Sequence, residues 1–212
     1  MSTFYQITRT NWKTAWQDGW FRQKFKIAIS SVVLILILLP FFFDWIQNRP
    51  GALLNDWLLN IITATNVSFA IFSLLWGSGL WLLYKAIKKP QLMLSFLASY
   101  AVLGLMRIIT ITIFPLETPP GLIVLQDPIS NLFYGENFIT KDLFFSGHTS
   151  GTILIGLCLT QKTEKLVVFF AAFLVGSFVL IQHIHYTIDV LAAPPLTYLC
   201  YWVGQKWIGN KV

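Results

Sequence analysis

Residues 183–190 read His-Ile-His-Tyr-Thr-Ile-Asp-Val and lie between two apolar runs, Leu166–Gln182 and Val190–Trp207. They contain two of the three histidines of the chain. Charge close to hydrocarbon is costly and is rarely kept without a use, so an ionisable cluster at such a junction indicates a functional site. This stretch therefore predicts both the boundary between two membrane spans and the place where the chemistry lies.

The composition is that of an integral membrane protein. Of the 212 residues, 56% are hydrophobic and 11% are charged, and the mean hydropathy is +0.66. Soluble domains carry about 25% charged residues. The net charge of +6 does not indicate nucleic acid, because the basic residues are scattered in short loops and not gathered on one face. Cys158 and Cys200 fall in apolar runs and are interpreted as small core residues.

We expect an all-α membrane protein of two parts, an amphipathic interfacial segment at residues 1–26 and a six-span domain at residues 27–208. Trp12, Trp16 and Trp20 at helical spacing favour a helix in the membrane interface, and a partly ordered tail with aromatic anchors is equally open. A long outer loop, residues 115–141, is expected between transmembrane helices 3 and 4, and a connection of that length is usually functional. The six spans are predicted at 27–43, within 57–84, and at 91–114, 146–161, 166–182 and 190–207.

The distribution of Lys and Arg predicts the orientation. Twelve of these residues fall in the segments on one side of the six predicted spans, against only Arg49 and Lys141 on the other. Cytoplasmic loops carry the excess of basic residues, so both termini are expected in the cytoplasm. We expect a multi-pass protein of a bacterial inner (plasma) membrane with its site on the outer, periplasmic face. An organelle membrane with a lumenal site fits the charge pattern equally well.

This topology brings the ionisable residues of three segments to one depth. His148 stands at the head of the fourth span, and the 183–190 stretch follows the fifth. Arg107 is 17 residues beyond Pro90, which is about 25 Å along a helix and therefore near the same surface. The residues expected to converge are Arg107, His148, His183, His185 and Asp189.

The spacing within the 183–190 stretch distinguishes its two histidines. His185 and Asp189 are four residues apart and would share one face of a helix. The carboxylate can then fix the imidazole tautomer and leave the other ring nitrogen free as a base or nucleophile. His183 would lie about 240° round the helix from Asp189 and would not reach it. An alternative is that Asp189 merely caps the last span.

The segment around Ser146, Gly147 and His148 predicts an anion site. Ser146 is a good helix N-cap, and Gly147 lets a ligand approach the backbone closely. Free N–H groups and the positive end of the helix dipole suit an anion there. Together with an acid/base histidine and a histidine held by a carboxylate, this set has the parts that phosphoryl transfer needs.

The motifs around these histidines resemble those of a known enzyme family. Ser-Gly-His followed by His-x-x-x-Asp is similar to two signatures of the phosphatidic acid phosphatase type 2 superfamily, which comprises six-span membrane enzymes. The resemblance is closer to its sphingomyelin synthase branch, whose motifs look like Arg107-x-x-Thr110, Asp142-x-x-Phe145-Ser146-Gly147-His148-Thr149 and His183-x-His185-Tyr186-Thr187-x-Asp189-Val190. The Lys-x6-Arg-Pro signature of the hydrolase branches is absent, and Thr140-Lys141 stand where the synthases tend to have Cys-Gly.

The resemblance implies a role for each motif residue. His185 would be the nucleophile that forms a phosphohistidine, Asp189 would orient it, and His148 would protonate the departing alcohol. Arg107 would hold the phosphate with the backbone of Ser146 and Gly147. His183 is expected to line the pocket or contact a headgroup. Further candidates for substrate or phosphate binding are Lys141, Asp142, Thr149 and Tyr186.

Several functions remain open at this stage. The leading prediction is a phosphotransferase that moves a phospho-headgroup from a phospholipid donor to a lipid alcohol acceptor, ceramide or diacylglycerol. The second is a lipid phosphate phosphatase with water as acceptor, and a third is a non-catalytic lipid-binding or transport protein. A metal site at His183, His185 and Asp189 and a serine hydrolase using Ser146 or Ser150 are weaker alternatives. No metal, cofactor or nucleic-acid partner is expected, and the oligomeric state stays open.

Overall fold

The fold was determined as a computed structural model that describes residues 11–125 and 139–209. These residues form eight helices and one isolated parallel bridge, between Ala52 and Leu116. The expected all-α architecture is confirmed. Residues 126–138, within the predicted outer loop, and residues 1–10 and 210–212 lie outside the described residues. The helices are α1 (Trp12–Gln17), α2 (Gly19–Asn48), α3 (Trp57–Ile61), α4 (Ser68–Lys88), α5 (Pro90–Ile113), α6 (Gly147–Cys158), α7 (Lys162–Ile181) and α8 (Thr187–Trp207).

Four of the described helices, α2, α4, α5 and α7, are long and apolar enough to cross a membrane. The six predicted spans are therefore found only in part. Helix α6 has 12 residues and is about 18 Å long, which is shorter than the roughly 30 Å hydrocarbon core of a bilayer. Helix α8 has 21 residues but carries Pro194 and Pro195 in its interior and buried Thr197 and Gln205.

Large apolar side chains on the outside of the bundle support a membrane location. Phe69 on α4, Phe170 on α7 and Leu191 on α8 all expose more than half of their surface. Soluble monomers rarely expose apolar patches of this kind, whereas lipid chains solvate them without cost. The chain is therefore described as an all-helical membrane protein.

Helix α5 lies at the centre of the bundle. One of its faces packs on α2, where Ala101 meets Val32 and Ile35. The other faces pack on α6 and α8, whose Leu154 and Ala193 belong to the main core cluster together with Leu103. Because α5 touches both α2 and α6, a residue near its end can be presented to both.

The N-terminal helices fold back on the bundle. Trp12 donates its Nε1–H to the carbonyl of Ala86 at the end of α4 (3.1 Å), and Ala15 and Phe21 are buried. Helix α2 begins at Gly19, so the boundary expected after residue 26 falls inside a continuous helix. Residues 19–26 of the expected interfacial segment thus belong to the same helix, α2, as the predicted first span.

One end of the bundle, which we call the site end, is where α5 ends, α6 begins, α7 ends and α8 begins. Irregular segments pack over it and bond to one another. Thr65 donates its N–H to Ile181 (3.0 Å) and Ile123 donates to Gln182 (3.1 Å). The Gln182 side chain, fully buried, donates to Ser68 (2.8 Å) and accepts from the N–H of Val67 (3.1 Å). These bonds satisfy backbone groups of the loops within the protein, as a low-dielectric environment favours.

Candidate active site

The 183–190 stretch is not helical over its whole length. Helix α7 ends at Ile181, the backbone turns at His183 with φ +56°, and α8 begins only at Thr187. The expectation that His185 and Asp189 share a helical face is therefore wrong, because His185 precedes the helix. The turn nevertheless carries its ring back over the first turn of α8. His185 Nδ1 lies 3.3 Å from Asp189 Oδ2, the contact that was predicted from the spacing.

Asp189 has two partners on one oxygen. Its Oδ2 also accepts the backbone N–H of Tyr186 (3.0 Å), which completes a capping box at the start of α8. The capping role and the orienting role, which the sequence presented as alternatives, therefore occur together. Asp189 is fully buried and His185 is 2% exposed. A buried carboxylate is strongly destabilising without a partner, so the pair depends on each of its members.

The second histidine comes from α6. Ser146 caps this helix, and its side chain accepts from the N–H of Thr149. The backbone N–H of Ser146 donates to the carbonyl of Asp189 (3.1 Å), which ties the start of α6 to the start of α8. As a result the rings of His148 and His185 lie edge to face, with centroids 5.9 Å apart. His148 is partly exposed while His185 is buried.

Arg107 completes the arrangement from α5. Its guanidinium forms an ion pair with Asp142 and lies directly against Gly147, in the space that a Cβ at that position would occupy. A side chain at residue 147 would displace the guanidinium from this position. A guanidinium beside the N-terminus of a 12-residue helix has the charge and the donors that an oxyanion such as phosphate needs.

Three other predicted residues bond to groups of the protein in this structure. Lys141 pairs with Glu117 (3.0 Å) and donates to the carbonyl of Arg49 (2.9 Å). The hydroxyl of Tyr186 donates to the carbonyl of Glu117 (3.0 Å). Thr149 is buried, with its hydroxyl 3.1 Å from that of Ser146. In this structure the three side chains support the fold around the site.

His183 takes no part in the contact between His185 and Asp189. Its Nδ1 lies 2.9 Å from the carbonyl of Pro120 and its Nε2 lies 3.0 Å from the carbonyl of Ile62. The side chain thus joins two loops at the site end. With both nitrogens engaged, His183 has none to offer a metal, and no cluster of three His, Cys, Asp or Glu side chains occurs in the part of the chain that the structure describes.

Asp56 was missed by sequence reasoning. Its carboxylate accepts the backbone N–H of Thr187 (2.6 Å) and the Thr187 hydroxyl (2.9 Å), and it also caps α3 through Leu58 (3.0 Å). Burial raises the pKa of Asp56, but these hydrogen bonds together hold it below its ordinary value. An acidic residue before an apolar run is an N-cap signal that predicts the cap on α3. No local pattern predicts the bond across 131 residues to α8.

Two comparisons with known proteins bear on this site. Residues 141–206 match the family model described as PAP2 superfamily C-terminal. The matched range contains His148, His185 and Asp189, whereas Arg107 precedes it. A search of curated proteins found no match. The match indicates an enzyme of phosphatase or phosphotransferase type, consistent with a membrane-embedded protein that acts on a lipid substrate.

Proposed function

We propose that this chain is a lipid phosphotransferase of the sphingomyelin synthase type. It would move a phospho-headgroup from a glycerophospholipid to a lipid alcohol, ceramide or diacylglycerol. The observation that carries the proposal is the set of side chains around His185. A buried imidazole held by a carboxylate faces a second, more accessible imidazole, and an arginine lies beside the helix that presents it.

In the first half of the reaction, His185 acts as the nucleophile. Asp189 accepts the Nδ1–H, so the lone pair is on Nε2. Nε2 attacks phosphorus, the bond between phosphorus and the ester oxygen of the donor breaks, and His148 gives a proton to that oxygen. Arg107 and the N–H groups at the start of α6 balance the negative charge of the phosphoryl oxygens. The product is a phosphohistidine that carries the headgroup.

The second half reverses these roles. His148, now neutral, takes the proton from the hydroxyl of the acceptor as its oxygen attacks phosphorus. The phosphorus–nitrogen bond breaks, and His185 returns to its starting state. The rings of His148 and His185, with centroids 5.9 Å apart, are close enough for both to act on one phosphoryl group bound beside them.

The second candidate is a lipid phosphate phosphatase, which the family match supports equally at the level of reaction class. The first half-reaction is then the same, and water takes the place of the lipid alcohol. The outcome depends on whether the site excludes water when the phosphohistidine is present. The motif resemblance around residues 142–149 and 183–190 is the reason for putting transfer first.

One incubation distinguishes these functions. Purified protein is mixed with fluorescent ceramide, a panel of labelled phospholipids and a lipid phosphate, and the products are separated. Ceramide that gains a headgroup is the expected result. If free phosphate is the only product, the protein is a phosphatase and not a transferase. If no donor in the panel gives either product, the protein is a non-catalytic lipid-binding or transport protein.

We further propose six spans with both termini in the cytoplasm and the site on the outer face of a bacterial inner membrane. The supports are the bias of Lys and Arg and the clustering of the site residues at one end of the bundle.

Asn55→Cys, in an exposed loop at the site end, should react with an impermeant thiol reagent added outside. Lys88→Cys, at the end of α4, should react only after the membrane is opened. The opposite pattern would invert the topology. The part of the outer loop at 126–138 lies outside the described residues.

A further inference from the structure

A cavity of about 370 Å³ extends from the site into the helix bundle. Its polar end is formed by Arg107, Asp142 and His148, and of the two paired site histidines only His148 lines it. The remaining lining is apolar apart from Tyr100 and comes mainly from α2 and α5. A space that is ionic at one end and apolar over the rest has the form of an amphiphilic ligand.

The cavity is elongated along the helices. On α5 its lining reaches from Ile111 to Tyr100, eleven residues apart and therefore about 16 Å at 1.5 Å per residue. On α2 it reaches from Phe43 to Ile35, about 12 Å by the same rise. It thus runs from the site end toward the middle of the bundle, in the direction that a lipid chain takes from its headgroup.

The cavity also reaches the surface that faces lipid. Ile35 and Leu36 both line it, and while Ile35 is 7% exposed, Leu36 is 46% exposed. A hydrocarbon chain can therefore enter sideways from the bilayer along α2, without first leaving the apolar phase.

We propose that this cavity, called the chain slot below, binds one hydrocarbon chain of the lipid alcohol whose phosphate ester is at His148, and that Gly151 determines which chains fit. The inference rests on the proposed function for the identity of the ligand. A volume of about 370 Å³ is near the lower end of the roughly 300–1,000 Å³ of ligand pockets. The slot therefore holds one chain, and a second chain of the same lipid stays in the bilayer.

The slot selects by shape and not by hydrophobic affinity. A lipid chain in the bilayer is already in an apolar solvent, so little is gained when it moves against Leu or Ile side chains. What the slot supplies is orientation of the ester next to His148 and exclusion of chains that do not fit. A substitution that fills the slot should therefore lower the turnover of long-chain substrates more than that of short-chain substrates.

Gly151 offers the means to fill it. This residue lines the slot on α6, and a Cβ there would meet no atom within 4 Å. By contrast, a Cβ at Gly104 would lie 3.2 Å from Ile35, where the slot wall is already tight. Gly151→Leu therefore adds bulk to the slot without a backbone clash. Gly77→Leu on the exposed face of α4 is the matched control, because it also meets no atom within 4 Å and does not line the slot.

The test measures turnover of short-chain and long-chain donors by wild type, Gly151→Leu and Gly77→Leu in the same micelles. We expect Gly151→Leu to raise the short-to-long ratio of turnover about tenfold, the scale of one misfitted group in a hydrophobic pocket. Gly77→Leu should keep the wild-type ratio. An unchanged ratio in Gly151→Leu, with the fold shown to be intact by thermal melting, would overturn the chain slot. If Gly151→Leu does not fold, Gly151→Ala and Gly151→Val give the same comparison at smaller volume.

A binding experiment separates this inference from the proposed function. A phospholipid with a photoreactive group in the middle of one chain is cross-linked to the His185→Asn protein, which does not need to turn over. Adducts on residues 35–43 and 100–111, lost in Gly151→Leu, would support the slot even if no donor is ever converted. Adducts confined to the outer faces of α4 and α7 would refute the slot and leave the proposed reaction untouched.

Discussion

The two ends of the bundle are stabilised in different ways. At the site end, single side chains reach backbone groups of distant segments, as Gln182 does at Val67 and His183 at Pro120. At the opposite end, helices α5 and α8 meet through small residues, with Gly204 against the backbone of Ser99. There the amide of Gln205 donates to the hydroxyls of Ser95 (2.7 Å) and Ser99 (3.2 Å).

This difference predicts how each end responds to substitution. Close packing of helices is regular, so a change at the opposite end should alter stability while the chemistry of folded molecules stays the same. The site end presents irregular backbone and buried charge, so a conservative change there should remove activity from a protein that still folds. The predictions below are ordered from the largest expected effect to the smallest.

The largest effect is expected from His185→Asn. Asparagine can still donate to Asp189, so the fold should persist, but it has no nucleophilic ring nitrogen. Turnover should fall by at least about a thousandfold, as when a catalytic nucleophile is removed. Initial rates and melting temperature are measured on the same preparations. A variant that retains a substantial part of the rate would rule out His185 as the nucleophile.

A smaller loss is expected from Arg107→Gln. Its guanidinium lies against Gly147, where it would balance charge on the phosphoryl oxygens, so kcat should drop about a hundredfold. Lys141→Gln is the matched control, because Lys141 is already paired with Glu117 and should change kcat only a few-fold. If the two variants lose similar rates, Lys141 binds phosphate, as its place among the sequence candidates for phosphate binding allows.

At the opposite end, Gly204→Ala should affect stability alone. A Cβ there would lie 2.5 Å from the Ser99 hydroxyl and 2.7 Å from its Cα, and overpacking of this kind costs about 1–3 kcal/mol. The melting temperature in detergent should fall while kcat per folded molecule is unchanged. Gly77→Ala, in open space, should not lower the melting temperature. A loss of kcat in Gly204→Ala would show that the two ends are coupled.

The smallest effect is expected from Asp56→Asn, which weakens the cap on α3 and the bond to Thr187. The unfolding free energy should fall by about 1 kcal/mol at neutral pH. Because the folded state lowers the pKa of Asp56, its stabilisation is present above the ordinary aspartate pKa of about 3.9 and is lost as pH falls below it. Melts of both proteins should therefore converge in acid. A difference that is the same at every pH would contradict this role.

The sequence predicted the elements that depend on local pattern and on depth. The apolar runs correspond to helices, His185 rather than His183 lies beside Asp189, and Arg107, His148 and His185 gather at one end of the bundle. These follow from hydropathy, from spacing and from the rise per residue. These three features can be predicted without knowing which side chains from distant segments form hydrogen bonds with them.

What could not be predicted depends on distant partners. Helix α8 begins at Thr187 and not at Val190, since Asp56 and the capping box of Tyr186 and Asp189 fix its first turn. Lys141 is held by Glu117, and this pairing crosses the loop. In both cases a contact between distant residues contributes, and no local pattern predicts that contact.

The central claim is tested most directly by trapping the covalent intermediate. Wild-type protein is mixed with a donor labelled in its phosphate, without acceptor, then denatured in alkali and digested. The account predicts label on the peptide that contains His185, stable in alkali and lost in acid, and absent from His185→Asn. Label on any other residue, or full turnover with no labelled peptide, would contradict it.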